Sequence, residues 1–157
     1  QERRRRGKFD DDTQFLCHVI MPFCDEKFDY PVTCGSVMSF VRSENPYFDF
    51  FSDIKCSEPI DWKQVNPDHP TVYARTTGRT HIVFMHVLDA DGEPIIERLP
   101  VQDGKALQRV LVRPKQTDRG QVFQAWYDDA KHKNRLFLKR PVIKDLSVYA
   151  TYDDPVR

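Results

Sequence analysis

Four cysteines offer this chain the widest choice of chemistry, and all of them lie in its N-terminal part. They are Cys17, Cys24, Cys34 and Cys56, which are widely spaced, so no CxxC pair occurs. Structural zinc sites normally use short chelating loops, because several ligands must meet one small ion. The spacing therefore predicts buried thiols. Two disulfides, which would place the chain in an oxidising compartment, remain the alternative.

The other candidate side chains favour structural roles. His18 lies on a predicted strand and is interpreted as a hydrogen-bonded structural residue. The run 91–93 (DGE) predicts a tight turn and lacks the later ligands of a calcium loop. Asp128 and Asp129 are neighbours on a predicted helix, where adjacent side chains do not converge. Residues 131–133, with two lysines and a histidine, would lie at the end of that helix, where cations are favourable.

No sequence motif of a common enzyme class occurs in the chain. The glycine-rich phosphate loop, the dinucleotide fingerprint, the serine hydrolase elbow and the metalloprotease helix are all missing. Cys34, which precedes Gly35 and Ser36, has no identifiable base partner. We therefore expect no catalytic, cofactor-binding or metal-binding residue, no cofactor and no enzyme activity.

Composition predicts a folded domain with no bilayer-spanning helix. The 157 residues contain 24 basic and 24 acidic side chains, which gives a net charge of zero and a pI near 7.1. This balance argues against a dedicated duplex-binding protein, which normally carries a basic excess. Mean hydropathy is −0.63, and no apolar run approaches the length of a transmembrane helix. The aromatic residues (11 Phe, 6 Tyr and 2 Trp) are numerous enough to build a core.

The N-terminus has an unusual charge pattern. Residues 3–6 are four consecutive arginines, and residues 10–12 are three consecutive aspartates. The segment 1–14 is predicted to be a solvated arm; docking on an acidic protein surface or on phosphates is the alternative. Gln1 is not an initiator residue, which indicates a processed form or a fragment.

The segment 15–70 is predicted to form an N-terminal extension. Residues 15–21 (FLCHVIM) predict a strand. Asn45 and Pro46 predict the start of a short helix, because Tyr47, Phe50, Phe51 and Ile54 follow at helical spacing. The proline-rich stretch 57–70 predicts a connector.

The segment 71–157 is predicted to form an α+β domain of the β-grasp (ferredoxin-like) type, with a mixed sheet and packed helices. No internal repeat is identified. A hairpin is expected because a glycine-containing turn separates two apolar runs. The elements expected after it are two helices and two strands. The predicted elements are strands at 80–88 and 94–101, helices at 103–114 and 123–130, and strands at Leu136–Lys139 and 146–152.

Residues 82–155 resemble the adrenodoxin-type two-iron, two-sulfur ferredoxins. The resemblance rests on several short motifs that occur in the same order as in that family. These motifs are Ile82-Val83-Phe84 with Asp91-Gly92-Glu93, the run Gly104 to Val110 (GKALQRV), Asn134-Arg135-Leu136, and Lys144 to Val148 (KDLSV) followed by Pro155.

The departures from the family pattern imply that no iron–sulfur cluster is held. Residues 114–120 are too short for the loop that carries three of the family's cysteines, and they contain none. Phe137 and Leu138 stand where the fourth cysteine would be. A cluster of this type needs four thiolate ligands. The resemblance therefore implies a ferredoxin-like domain that has lost its electron carrier.

The function expected from this resemblance is that of a non-catalytic accessory or structural subunit of a mitochondrial respiratory-chain complex of the NADH dehydrogenase type. It would bridge other protein subunits at the periphery of the inner membrane, without a small-molecule substrate. One alternative is a nucleic-acid-associated protein, such as an organellar ribosomal subunit, because residues 3–6 and 131–140 are basic. Another is a secreted, disulfide-stapled recognition domain.

Overall fold

The computed structural model describes residues 9–155 and divides into two compact units, Gln1–Thr77 and Gly78–Arg157. Each unit contains one four-stranded sheet. Among residues 9–155, the first unit also contains the one α-helix, α1 (Val37–Glu44), and each unit has one 3-10 turn, at Trp62–Gln64 and Leu107–Arg109. The strands are β1 (Gln14–Met21), β2 (Glu26–Thr33), β3 (Phe48–Phe51) and β4 (Thr71–Thr76), then β5 (Thr80–Leu88), β6 (Pro94–Gln102), β7 (Val122–Tyr127) and β8 (Leu146–Asp153).

The two sheets have the same topology. Their strand orders are β2-β1-β4-β3 and β6-β5-β8-β7. In each sheet the two central strands are parallel and both outer strands pair antiparallel with them. The chain is therefore built from two copies of one β-rich arrangement, and the prediction that it contains no internal repeat is wrong.

A constant offset in residue number relates the second halves of the two units. Phe51 pairs with Tyr73 between β3 and β4, and Tyr127 pairs with Tyr149 between β7 and β8. Val72 and Val148, which are related by the same offset as Phe51 and Tyr127, are both fully buried. The sequence retains a trace of this relation in Thr71-Val72-Tyr73-Ala74 and Ser147-Val148-Tyr149-Ala150.

Each unit has its own apolar core, because alternating strand residues point to one face of its sheet. In the first unit the fully buried side chains include Cys17, Val19, Val41 and Val72. In the second unit the core contains the buried residues Val83, Val87, Val101, Leu107, Phe123, Trp126, Leu136, Val142, Leu146 and Val148.

The predicted α+β, β-grasp (ferredoxin-like) domain with packed helices is wrong, because the predicted helices are not formed. The segment 123–130, predicted as a helix, contains most of β7, in which Phe123, Ala125 and Trp126 are buried. Its register shifts between Phe123 and Ala125, and this irregularity produces a helix-like spacing of apolar residues within a strand. A short apolar segment can fit both the helical period and the strand period, and only pairing with a neighbouring strand decides between a helix and a strand.

The two other helix predictions failed for similar reasons. In the segment 45–54, Phe48 and Phe50 are buried on either side of exposed Asp49 in β3, so the segment has the period of a strand and not that of the predicted helix. Asn45 ends α1 instead of starting a helix, and its side-chain amide donates to the carbonyl of Val41 at 2.7 Å. In the segment 103–114 only the 3-10 turn Leu107–Arg109 forms, and residues 105–108 bond to the chain that precedes β8.

The strands predicted at 15–21, 80–88, 94–101 and 146–152 are confirmed as β1, β5, β6 and β8. Leu136–Lys139, also predicted as a strand, is irregular chain. The turn between β5 and β6 is confirmed too. Gly92 adopts φ +84°, and the Asp89 carboxylate accepts hydrogen bonds from the backbone N–H groups of Asp91 and Glu93 at 2.9 Å.

Candidate functional site

The loop that joins the last two strands has a similar backbone in the two units but carries different side chains. We call residues 52–70, between β3 and β4, the first return loop, and residues 128–145, between β7 and β8, the second return loop. Both loops fold back along the outer edge of the preceding strand. Phe51 forms an isolated bridge with Pro59, and Tyr127 forms the equivalent bridge with Arg135.

The backbone hydrogen bonds of residues 50–64 and 126–140 correspond at the same offset that relates the flanking strands. In the first loop, Ser52 N–H donates to Glu58 at 2.9 Å and Ile60 N–H donates to Phe50 at 3.0 Å. Cys56 adopts φ +55°, a rare conformation for a residue other than glycine. The equivalent features of the second loop are Asp128 N–H to Asn134 at 2.9 Å, Leu136 N–H to Trp126 at 3.0 Å, and His132 at φ +57°.

One aspartate organises each loop. The Asp53 carboxylate accepts from the Ser57 hydroxyl at 2.6 Å and from the Glu58 N–H at 2.8 Å, and these bonds lower its pKa. The Asp129 carboxylate accepts from the N–H groups of Asn134 and Lys133, both at 2.9 Å. The pKa of Asp129 is lowered chiefly by the Asn134 bond, and the Lys133 N–H and His132 add smaller effects.

The side chains carried on this shared backbone have opposite charge balances. The first return loop contains four acidic and two basic residues, whereas the second contains three acidic and six basic residues. None of the six cations forms an ion pair with a carboxylate among residues 9–155. These six residues are Lys131, Lys133, Arg135, Lys139, Arg140 and Lys144.

The second return loop also exposes apolar side chains. Phe137 is 66% exposed, Ile143 is 65% exposed and Leu138 is 40% exposed. The residue equivalent to Phe137 is Asp61, because the hydrogen bond from Arg140 N–H to Phe137 corresponds to the bond from Gln64 N–H to Asp61. We call the six cations and three apolar residues of this loop the basic–apolar surface.

The basic–apolar surface rests on a fixed backbone. Leu107 N–H donates to the carbonyl of Arg140 at 3.0 Å, and Gln108 N–H donates to that of Leu138 at 2.8 Å. Lys105, just before this 3-10 turn, and Arg109, at its end, are both exposed and extend the positive charge beside the loop. The basic run 131–140 is visible in the sequence, but the contribution of residues 105–109 depends on long-range pairing.

The four cysteines do not converge on a single site. All four are buried thiols: Cys17 on β1, Cys24 in the turn after it, Cys34 after β2, and Cys56 in the first return loop. Burial raises the pKa of Cys17 to about 12, and the negative charge of Asp29 adds to this effect. Among residues 9–155, no group of three or more His, Cys, Asp or Glu side chains is arranged to hold a metal ion.

The remaining sequence candidates have structural roles. His18 is confirmed as a hydrogen-bonded residue, since its Nδ1 lies 2.6 Å from the Asp29 carboxylate on the neighbouring strand. Asp128 and Asp129 lie in the second return loop rather than on a helix, and so do residues 131–133. The arginines at 3–6 fall outside the residues that the structure describes.

A groove of about 610 Å³ lies on the sheet of the second unit. Met85, Ile95 and Trp126 line its floor, and residues 110–118 form one wall. Its charged lining residues have both signs, so the groove does not select one class of ligand. They are Asp89, Glu97, Arg113, Lys115 and Asp118.

No family model matches the chain, and no curated protein matches it. The ferredoxin resemblance therefore stays a prediction, and the fold lacks the helices on which it partly depended. The eight-residue α1 is far shorter than the roughly 20 residues of a transmembrane helix, and no helix among residues 9–155 meets that requirement.

Proposed function

We propose that this chain is a non-catalytic accessory protein that bridges partner proteins in a larger assembly. One observation carries the proposal: the two units hold equivalent return loops on equivalent backbone, yet the loops present different charges and different apolar residues. Binding proteins often vary their loops on a constant scaffold.

The two return loops together show which residues the backbone needs in order to fold and which only determine the character of the surface. Ser57 and Pro59 occupy the positions at which the second loop has Lys133 and Arg135. The same backbone therefore forms without these two cations. The positive charge of the second loop is a property of its surface, and a binding role accounts for it.

The narrower expectation of a mitochondrial respiratory-chain subunit rests on the ferredoxin resemblance. It draws no support from the return loops, and the proposal therefore keeps only the bridging role. The six cations of the second loop also favour a second candidate, a nucleic-acid-associated accessory protein. That candidate predicts an affinity for RNA that falls steeply as the salt concentration rises.

Crosslinking of the intact protein in its native source tests the bridging role. An amine-reactive crosslinker followed by mass spectrometry would report which lysines contact other proteins. We expect intermolecular links from Lys139 and Lys144 of the second loop to outnumber those from Lys55 and Lys63 of the first. Recovery of the protein as a single species without intermolecular links would overturn the proposal.

A further inference from the structure

We propose that the basic–apolar surface docks an acidic segment of a partner protein that also carries apolar side chains. This inference rests on the bridging function proposed above and names the chemistry of one partner. The charge, the exposed apolar residues and the hydrogen-bonded backbone of the second return loop support it.

The charge of the surface favours an anionic partner. Its six cations have no ion pair with carboxylates among residues 9–155. Of the three acidic residues in the same loop, Asp129 is engaged by backbone N–H groups, and Asp145 is buried and accepts from Ile82 N–H at 3.0 Å. Only Asp128, at the start of the loop, is an exposed carboxylate. Charge complementarity of this kind accelerates encounter and selects the partner.

The apolar residues distinguish an acidic protein segment from nucleic acid. Phe137, Leu138 and Ile143 are all substantially exposed, and two of the three are aliphatic. Single-stranded nucleic acids bind mainly through phosphate contacts to cations and through stacking of bases on aromatic rings, so they would use Phe137 but gain little from Leu138 and Ile143. A protein segment with its own apolar residues would remove all three from water.

The backbone favours a partner of defined shape over a lipid surface. Buried Leu136 and Val142 anchor the two ends of the segment that carries the exposed turn. Val142 N–H donates to the carbonyl of Lys105, and Gly104 N–H donates to that of Val142, both at 2.8 Å. A preorganised surface lowers the ordering cost of binding a complementary partner, whereas insertion into a bilayer requires no fixed geometry.

The test uses the full-length protein and a dye-labelled random copolymer of glutamate and tyrosine, with polyglutamate, phosphatidylserine vesicles and polyuridylate as comparison probes. We expect the copolymer to bind more tightly than any of the other three. The charge-reversed variant K139E/R140E/K144E should lose about tenfold or more in affinity. F137S/I143S should lose about fivefold without changing the salt dependence.

The first return loop supplies matched controls. The double variant K55E/K63E reverses the charge of the two cations of the first loop, and the separate variant Ile54→Ser removes an exposed apolar side chain from that loop. The affinity of each variant for the copolymer should stay within about twofold of that of the unchanged protein. Equal losses in both loops would overturn the proposal. The neutral variant K139Q/R140Q, with circular dichroism of every variant, separates lost binding from lost folding.

The comparison probes decide between ligand classes. Tighter binding of the vesicles or of polyuridylate than of the copolymer would overturn the proposal in favour of a lipid or a nucleic acid. If the copolymer fails to bind while native crosslinks from the second loop persist, this inference fails and the bridging function survives. If those crosslinks are missing as well, both fail.

Discussion

Cys17 shows how burial sets the chemistry of a side chain whose role the sequence left open. Its side chain is fully buried on β1, and burial raises its pKa from 9.0 to about 12. The thiolate is the reactive form, so its population at pH 8 is very small. The sequence spacing argued against zinc, but only the strand register shows how inaccessible this thiol is.

We predict that Cys17 resists alkylation in the folded protein. Iodoacetamide at pH 8, followed by peptide mapping, should label Cys17 slowly under native conditions and rapidly in denaturant. The physical reason is the combined loss of access and of thiolate. Labelling of native Cys17 at the rate of a small-molecule thiol would contradict the assignment.

The lowered pKa of Asp129 predicts how its loop responds to acid. A carboxyl group whose pKa is lower in the folded state contributes stability above its usual pKa of 3.8, and that contribution is lost as the pH falls through the folded value. In a carbon-detected NMR titration, Asp129 should therefore titrate below pH 3.8. Asp53 should shift in the same direction because its bonds are equivalent. Titration of Asp129 at or above 3.8 would show that its bonds to the backbone are not made.

At the scale of elements, the β5–β6 hairpin was the most predictable feature. The predicted strands 80–88 and 94–101 flank a turn in which Gly92 takes a positive φ, and the signals for the strands and for the turn are local. An added Cβ at Gly92 would lie 2.7 Å from the Gln121 side-chain oxygen. Gly78 has no atom within 4 Å of its own added Cβ.

Gly92→Ala is expected to destabilise the protein by about 1–2 kcal/mol, the cost of a left-handed conformation for a residue with a Cβ. Gly78→Ala should leave the free energy of unfolding unchanged or slightly raised, because it restricts only the unfolded chain. Urea unfolding of both variants measures the difference. Equal stabilities would mean that the turn does not need a glycine at position 92.

The elements that sequence reasoning missed depend on distant partners. The aromatic spacing of β3 and β7 fits a helix and a strand equally well, and only pairing with β4 and β8 decides between them. Helix α1 was not predicted, although serine is a preferred N-cap residue and Ser36 occupies that position. The basic run of the second return loop was visible in the sequence, whereas its exposed Phe137 was assigned to a strand.

At the scale of the whole molecule, the duplication is the feature that most changes the interpretation. The signal for it was present in the TVYA and SVYA tetrapeptides at residues 71–74 and 147–150. Two such short runs are too little to establish a repeat without the strand pairing that aligns them. Once aligned, the two units show which surface properties the fold requires and which it leaves to function.

Charge also differs between the units as wholes. Gln1–Thr77 contains 13 acidic and 10 basic residues, and Gly78–Arg157 contains 11 acidic and 14 basic residues. The neutral composition of the full chain conceals this difference. The return loops contribute to it, since the second has six cations and the first has two.

An exchange of the return loops tests the central claim most directly. Residues 131–140 would be replaced in the intact protein by the sequence of residues 55–64, whose backbone hydrogen bonds correspond to those of the replaced segment. Calorimetric titration with the glutamate–tyrosine copolymer would then report affinity. We predict an unchanged circular dichroism spectrum and loss of copolymer binding. Binding at the original affinity after the exchange would contradict the claim that this loop is the docking surface.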